Sequence, residues 1–381
     1  MTEFELIRLI ASGTALPDGI TGIGDDCAII PSVMPDASPA GTAIPGQAGH
    51  TKDVLVTTDL LAEGIHFLPD LMTPEDIGFK SAAVNISDIA AMGGTPEFAF
   101  LSLALPASSI QSLPAGEHRN GELPRTWIER FMSGFKECLD RFGVSLLGGD
   151  TSASKGGIFI NVTLMGSCHH GTAVKRSGAL PGDLICVTGT LGDSAAGLKL
   201  MMEEASSGSD GRIISRLCHL IRRHCRPEPR VAEGQALREC PGVHAMMDIS
   251  DGVASDLPHI LESSSIGAGD GSKVPIINDN AASFGATIDV RSLPLSPELR
   301  SICDSRGWDP VDLALCGGED YELLFTMAPG TDPGIPFTVI GTIDPSPGLR
   351  WLGGLATYDG FRQFSPPPAA GPPRVGSPGS T

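Results

Sequence analysis

Six times along this chain an apolar run gives way to a carboxylate flanked by glycine or a hydroxyl residue. The segments are Gly24-Asp25-Asp26, Thr57-Thr58-Asp59, Asn85-Ile86-Ser87-Asp88, Gly149-Asp150-Thr151, Asp248-Ile249-Ser250-Asp251 and Gly317-Gly318-Glu319-Asp320. Taken singly, an acid at an element end is most often a turn or helix-cap residue. Taken together, they describe a fold that directs carboxylates to element ends in both of its halves. The runs between them alternate in type. Asp53 to Asp59 is a buried-type strand with its polar residues at the exit. Thr73-Pro74-Glu75-Asp76 starts a helix, with a cap candidate, proline at the first position and acids in the first turn; it should run to about Met92. Phe98 to Leu105 is the next strand, and Trp127, Phe131, Phe135, Cys138 and Phe142 recur at helical spacing. Val144 to Leu147 is a strand ending at Gly148-Gly149, and Ile158 to Met165 is another. Strands alternating with helices make this an α/β protein.

A second half opens at Pro181-Gly182-Asp183, with a strand at 184–187, a helix at 193–202 and further helices around 213–222 and 229–239. A boundary near 168–180 gives an N-terminal domain 1–170, a C-terminal domain 171–365 and a Pro/Gly-rich tail, 366–381, of disordered composition. A short amphipathic helix is expected from Phe4 to Ile10, and Pro31 to Gly49 has the composition of a surface insertion. The halves echo each other: Asn85-Ile86-Ser87-Asp88 precedes Gly148-Gly149-Asp150, and Asp248-Ile249-Ser250-Asp251 precedes Gly317-Gly318-Glu319. This points to two related sites or to one site assembled from both halves.

Composition excludes several classes. With 26 Lys+Arg against 45 Asp+Glu the formal charge is −19, which argues against a general nucleic-acid binder. Nine cysteines are scattered without a C-x-x-C pair, so no disulfide framework is expected and the reducing cytoplasm is the expected location. The first residues lack a basic leader. The longest apolar stretch, 89–107, is broken by Gly93-Gly94, Pro96 and Glu97 and cannot be a membrane span of about 20 apolar residues.

Clustered carboxylates repel unless they keep their protons or gather cations. An all-oxygen donor set suits Mg²⁺, with Mn²⁺ as a substitute, rather than zinc, and Thr57, Thr58 and Ser250 can add hydroxyl oxygens. On the helix from Thr73, Asn85 and Asp88 share a face while the surrounding residues are apolar nearly all round, so a buried Asp88 needs a partner. No Gly-Lys dipeptide occurs and Gly22-x-Gly24 lacks a third glycine, which disfavours P-loop and dinucleotide-binding readings. Phosphates would be held through metal bridges, glycine amides and a few cations such as Lys175-Arg176. The segment Cys218-His219…His224-Cys225 has metal-like spacing but reads as packing on a helix.

In order, Gly22-Ile-Gly-Asp-Asp-Cys-Ala, Thr57-Thr-Asp…Gly64-Ile-His-Phe, Asn85-Ile-Ser-Asp-Ile-Ala-Ala-Met-Gly, Gly148-Gly-Asp-Thr, Arg176-Ser-Gly, Thr188-Gly-Thr-Leu-Gly-Asp, Asp248-Ile-Ser-Asp-Gly and Gly317-Gly-Glu-Asp-Tyr-Glu-Leu resemble the motif set of the thiamine-monophosphate kinase family, from about residue 3 to 364. The resemblance implies ATP-dependent phosphorylation of thiamine monophosphate to thiamine diphosphate. It also implies the two-domain aminoimidazole ribonucleotide synthetase-like fold, with an N-terminal mixed-sheet domain that pairs in a homodimer and a C-terminal α/β domain. By the same resemblance, several Mg²⁺ ions match Asp26, Thr57, Thr58, Asp59, Asp88, Asp150, Asp248 and Asp251, with a monovalent cation as a further candidate. ATP contacts match Gly149, Asp150, Arg176 and Ser250. Thiamine monophosphate contacts match His66, Glu319 and Phe361, and Asp88, Asp150 and Asp251 are the candidates for the catalytic step. The acceptor is a phosphate with a second pKa of about 6, so no side-chain base is obligatory and direct in-line transfer is expected. The competing readings are another ATP-dependent synthetase of the same fold and a non-catalytic divalent-cation binder.

Overall fold

The helix that starts at Thr73-Pro74 lies at the centre of the fold. In the computed structural model, which describes residues 19–32, 52–107, 126–207, 219–265, 284–354 and 357–358, it spans Pro74–Ala91 (α1). The Thr73 hydroxyl caps it, accepting from the Asp76 amide at 3.2 Å. Nearly every residue from Ile77 to Ala91 is buried, Lys80, Ser81, Asn85 and Ser87 included. A helix that is apolar all round belongs inside, and its few polar residues must then find protein partners.

The first sheet contains Ala28–Ser32 (β1), Lys52–Ala62 (β2), Thr95–Leu105 (β3), Ser145–Ala153 (β4) and Phe159–His169 (β5), in the order β1-β2-β5-β3-β4. It is mixed, as expected: β3 and β4 are parallel and the other pairs antiparallel. Alternation along the strands turns Leu55, Leu61, Leu101, Leu103, Ile160, Val162 and Leu164 into a core shared with α1 and with Trp127–Arg141 (α2). The two helices cross with backbone against backbone. A Cβ on Gly134 would lie 1.8 Å from the Glu75 carbonyl oxygen, and one on Gly78 would lie 2.0 Å from that of Phe131. The opposite face of the sheet leaves Ile30, Leu60, Phe98 and Phe159 exposed.

The second sheet contains Leu184–Val187 (β6), Val243–Asp248 (β7), Gly285–Asp289 (β8), Leu323–Met327 (β9), Thr338–Asp344 (β10) and Gly348–Leu352 (β11), ordered β11-β8-β10-β6-β9-β7. Its helices are Asp193–Ser207 (α3), His219–Cys225 (α4), Val231–Arg238 (α5), Val253–Ser265 (α6), Pro297–Arg306 (α7) and Pro310–Cys316 (α8). The edge strand β7 and helix α5 meet α1 directly. Ser87 on α1 donates to Asp248 at the end of β7, and Gly234 of α5 is so close to α1 that a Cβ would lie 2.1 Å from the Ala90 carbonyl oxygen.

One expectation needs correction. The strand predicted to end at Leu147 continues through Gly148-Gly149 to Ala153. The glycines do not break it because β4 presses against β3 where a side chain cannot fit: a Cβ on Gly149 would lie 1.7 Å from the Leu101 carbonyl oxygen. The helix predicted around 213–222 is described only from His219 and ends at Cys225. The opening helix, most of the insertion at 31–50, Phe361 and the tail lie outside the described residues. Among the described residues, no helix is long and apolar enough to cross a membrane.

Candidate active site

The end of β2, the buried face of α1, the segment entering β1 and the turn after β7 converge. Strand alternation points Thr57 and Asp59 toward α1 and Thr58 away from it. Thr57 Oγ1 donates to Asp88 Oδ2, and the Asp59 amide donates to Asn85 Oδ1 at 3.1 Å. Asn85 Nδ2 is itself used, donating to the Ser81 carbonyl at 3.2 Å, so Asn85 positions the strand end. From the other half, Asp248 Oδ2 accepts from Ser87 Oγ at 2.6 Å. Carboxylate oxygens of Asp26, Asp88 and Asp248 all lie within 4.8 Å of one another.

Three acids this close and this buried cannot all carry their charges without compensation. Burial, the nearby Asp26 and, for Asp248, Asp59 push the Asp59 and Asp248 carboxyls up to about 6 and about 7. Burial together with Asp59, Asp248 and Asp26 drives Asp88 well above its ordinary value, against the opposing Thr57 hydrogen bond. A cation pairs with this cluster: Arg176 donates to Asp26 Oδ1 at 2.6 Å, while its amide donates to Asp25 Oδ1 at 2.7 Å. The remaining oxygen, Asp26 Oδ2, is buried without a hydrogen-bond partner, and so is Arg176 Nε. An aspartate with an orphaned oxygen, clustered with two further carboxylates, makes a hard, anionic donor set that suits a divalent cation.

A second group lies beside the first. Glu319 follows the tight turn Gly317-Gly318, where a Cβ on Gly318 would lie 2.2 Å from the Ser250 carbonyl oxygen. The Glu319 amide donates to that same carbonyl at 2.7 Å, which docks the turn onto the segment after β7. Glu319 and Tyr321 adopt left-handed backbone, φ 65° and 52°. Such strain persists only where the surroundings fix it. Here Asp320 accepts from the Gly192 and Ser194 amides at 2.7 and 3.2 Å, and Glu322 accepts from Arg223, Arg230 and Thr188, each at 2.7 Å. Lys80 Nζ meets Glu319 Oε1 at 2.7 Å and His224 Nδ1 meets Oε2 at 3.2 Å. His66 is adjacent: its Nδ1 accepts from the Ala62 amide at 3.0 Å, so its proton sits on Nε2, and both Glu319 and Lys80 act on its charge. Tyr321, buried between the groups, is affected by Glu319 as well as by Asp59, Asp248 and Asp88.

Of the residues singled out from sequence, Asp26, Thr57, Asp59, Asp88, Arg176 and Asp248 come together, and His66 and Glu319 form the neighbouring group. The Ser250 and Asp251 amides both donate to Asp256, at 3.1 and 3.2 Å, which fixes the turn beside Asp248. Thr58 and Asp150 stand apart. The Thr58 hydroxyl bonds to the Val162 carbonyl and to Thr163 on the open face of the sheet, so the expected hydroxyl ligand is turned away from the carboxylates. Asp150 pairs in register with Ser102, which puts it on that same open face; it is exposed and accepts from the Thr151 amide at 2.9 Å. Gly149 lies beside it in β4. Sequence reasoning missed Lys80 and did not place His224 beside Glu319. A lysine one heptad before Ser87, on a face otherwise apolar, was the available signal for Lys80.

The segment 24–168 matches the family model described as AIR synthase related protein, N-terminal domain. The thiamine-monophosphate kinase of Salmonella typhimurium is 36% identical over 365 residues, spanning 91% of this chain and 93% of that protein. That of Escherichia coli (strain K12) is 36% identical over 335 residues, spanning 84% and 83%. A solved structure, AaThiL complexed with AMPPCP and TMP, is 32% identical and covers 95% of this chain and 97% of its own, with a TM-score of 0.71.

Proposed function

This chain belongs to the thiamine-monophosphate kinase family and is an ATP-dependent kinase of thiamine monophosphate, and we propose that it moves the γ-phosphoryl group of ATP directly and in line onto the substrate phosphate, giving thiamine diphosphate and ADP. The observation that carries the reading is the Asp26, Asp88 and Asp248 cluster, built from both halves of the chain with one carboxylate oxygen left unpartnered.

Asp26, Asp88 and Asp248, with Thr57 and Asp59 beside them, would hold Mg²⁺, and Asp251 stands one turn from Asp248. When bound, the metal neutralises the repulsion between two phosphate groups. The chain's own residues do the rest. Arg176, anchored on Asp26 and with its buried Nε unsatisfied by any protein group, would add positive charge beside the phosphates. Ser250 lies on a turn fixed by Asp256 and would join Arg176 in the nucleotide site; the family resemblance also assigns Gly149 and Asp150 to ATP, although in this chain Asp150 stands on the open face of the first sheet. His66 and Glu319, tied to each other through Lys80, receive the thiamine part, with Phe361 as a further contact. The acceptor phosphate is largely dianionic at neutral pH, so the protein positions and neutralises rather than abstracts a proton.

We assign the two sheets to an N-terminal domain 1–170 and a C-terminal domain 171–365. The open face of the first sheet supports a homodimer: a second copy seated there would cover Ile30, Leu60, Phe98 and Phe159 and bring Thr58 and Asp150 into the interface. The free thiols among the described residues support a cytoplasmic location.

Incubation with ATP, Mg²⁺ and thiamine monophosphate should yield ADP and thiamine diphosphate, with inversion at a chiral γ-phosphorus. Retention would mean a phosphoenzyme and end the direct-transfer reading. Exchanging potassium for tetramethylammonium in the same assay tests the monovalent-cation requirement.

A further inference from the structure

Lys80 is among the largest fully buried side chains of the described residues, 1% exposed in the middle of α1. A buried ammonium is costly unless it is paired and hydrogen-bonded. Its pair is Glu319, 239 residues later in the chain, and its Nζ also lies 3.4 Å from the His66 carbonyl oxygen. One cation therefore links the two residues assigned to the substrate, one on the loop after β2 and the other on the turn after α8. From the opposite side His224, 3% exposed, places Nδ1 3.2 Å from the second Glu319 oxygen and 3.1 Å from Ser194 Oγ. Glu319 itself keeps 26% of its side chain exposed, so a ligand can reach it.

We propose that Lys80 and His224 are positioning residues that convert Glu319 from a point of negative charge into a fixed, charge-neutralised hydrogen-bond acceptor, and that this selects the aminopyrimidine of the substrate rather than its cationic thiazolium ring. The inference rests on the reading of Glu319 as a thiamine contact. Its logic is electrostatic. A lone carboxylate would attract the thiazolium cation from any direction, whereas a carboxylate neutralised by a buried ammonium retains chiefly directional lone pairs. Each Glu319 oxygen has one protein partner and therefore room for one more hydrogen bond. An amino group supplies a matching donor to one Glu319 oxygen, while in the oxo analogue that position becomes an acceptor and the donor moves to the ring nitrogen, out of register with the carboxylate. Burial pushes the Glu319 carboxyl up, but the Lys80 ammonium, which pairs with it and donates to it, outweighs burial and holds the group below its ordinary value, so it stays an acceptor. Burial and Lys80 bring His224 down to about 3, so it remains neutral and leaves the charge balance to Lys80.

The test compares wild type, Lys80→Met, Glu319→Gln and the double variant Lys80→Met/Glu319→Gln, each as the full chain with Mg²⁺ and ATP. The acceptors are thiamine monophosphate and its analogue with the pyrimidine amino group replaced by oxygen. In Lys80→Met, KM for thiamine monophosphate should rise about ten- to hundredfold while KM for ATP stays unchanged, and the preference for the amino over the oxo acceptor should collapse. The double variant removes both charges and should recover the melting temperature lost in Lys80→Met without recovering the amino preference. Unchanged preference in Lys80→Met, or equal rises in both KM values, would overturn the proposal. If wild type phosphorylates thiamine monophosphate and Glu319→Gln leaves its KM unchanged, the assignment of Glu319 itself fails, and the inference fails with it.

Discussion

Replacing Asp248 by asparagine should stabilise the metal-free protein while removing its activity. Asp248 is 3% exposed, and asparagine keeps an oxygen to accept the Ser87 hydrogen bond. The substitution therefore removes a charge without opening a cavity. Burial and Asp26 raise the Asp248 carboxyl from its ordinary 3.8 to about 7, so between those values the folded chain holds a proton that the unfolded chain has released. Stability contributed by that proton is fully present below about pH 4 and is lost as pH rises through about 7. The rise from 3.8 to about 7 corresponds to an upper figure of ~4 kcal/mol, part of which relaxation and water entry relieve.

The assay is urea unfolding at steps from pH 4 to pH 8 in the presence of EDTA, for wild type and Asp248→Asn. The wild-type curve should fall across that range, and the advantage of the variant should grow from near zero at pH 4 to about 2–4 kcal/mol at pH 8. Adding Mg²⁺ should restore wild type at high pH, where the ligands have lost their protons, and leave the variant little changed. A difference between the two proteins that is independent of pH would refute the reasoning, since it would show that the carboxylates are not held against their own repulsion.

Asparagine at Asp88, the residue that receives the Thr57 hydroxyl, should lower turnover about 100-fold or more at unchanged fold, read by initial rates and circular dichroism. Alanine at Asp150 should also remove turnover and leave the fold intact; full activity there would remove this exposed residue from the site. Alanine at Gly134 forces α1 and α2 apart, because its Cβ would lie 1.8 Å from the Glu75 carbonyl oxygen. It should cost about 1–3 kcal/mol in thermal or urea unfolding, with turnover per folded molecule preserved.

Local signals carried the elements far better than they carried the contacts between them. The helix from Thr73 was legible because cap, proline and first-turn acids coincide with an apolar run, and these act within a few residues of one another. The end of β4 was misread because glycine pairs ordinarily mark turns, whereas Gly149 is required by the close approach of Leu101 from a neighbouring strand. The repeated motifs show the same division. Asn85-Ile86-Ser87-Asp88 lies in mid-helix and Asp248-Ile249-Ser250-Asp251 leaves a strand, so equal letters occupy unequal backbone.

The two aspartates nevertheless meet, and the reason is physical rather than repetitive. A helix buried on every side must satisfy its polar residues from whatever packs against it, and α1 packs against both halves. Ser87 therefore reaches Asp248, Lys80 reaches Glu319, and Thr57 reaches Asp88, each across a separation that no window on the sequence spans. His224 was set aside for the same reason: its cysteine neighbours suggested packing, and the carboxylate it faces lies 95 residues away. The polar residues of this one helix thus join a cation site on one side to a substrate contact on the other. Asp248→Asn and Lys80→Met should therefore disturb different ligands, Mg²⁺ for the first and thiamine monophosphate for the second, although Ser87, the partner of Asp248, and Lys80 lie on α1 within about two helical turns of each other.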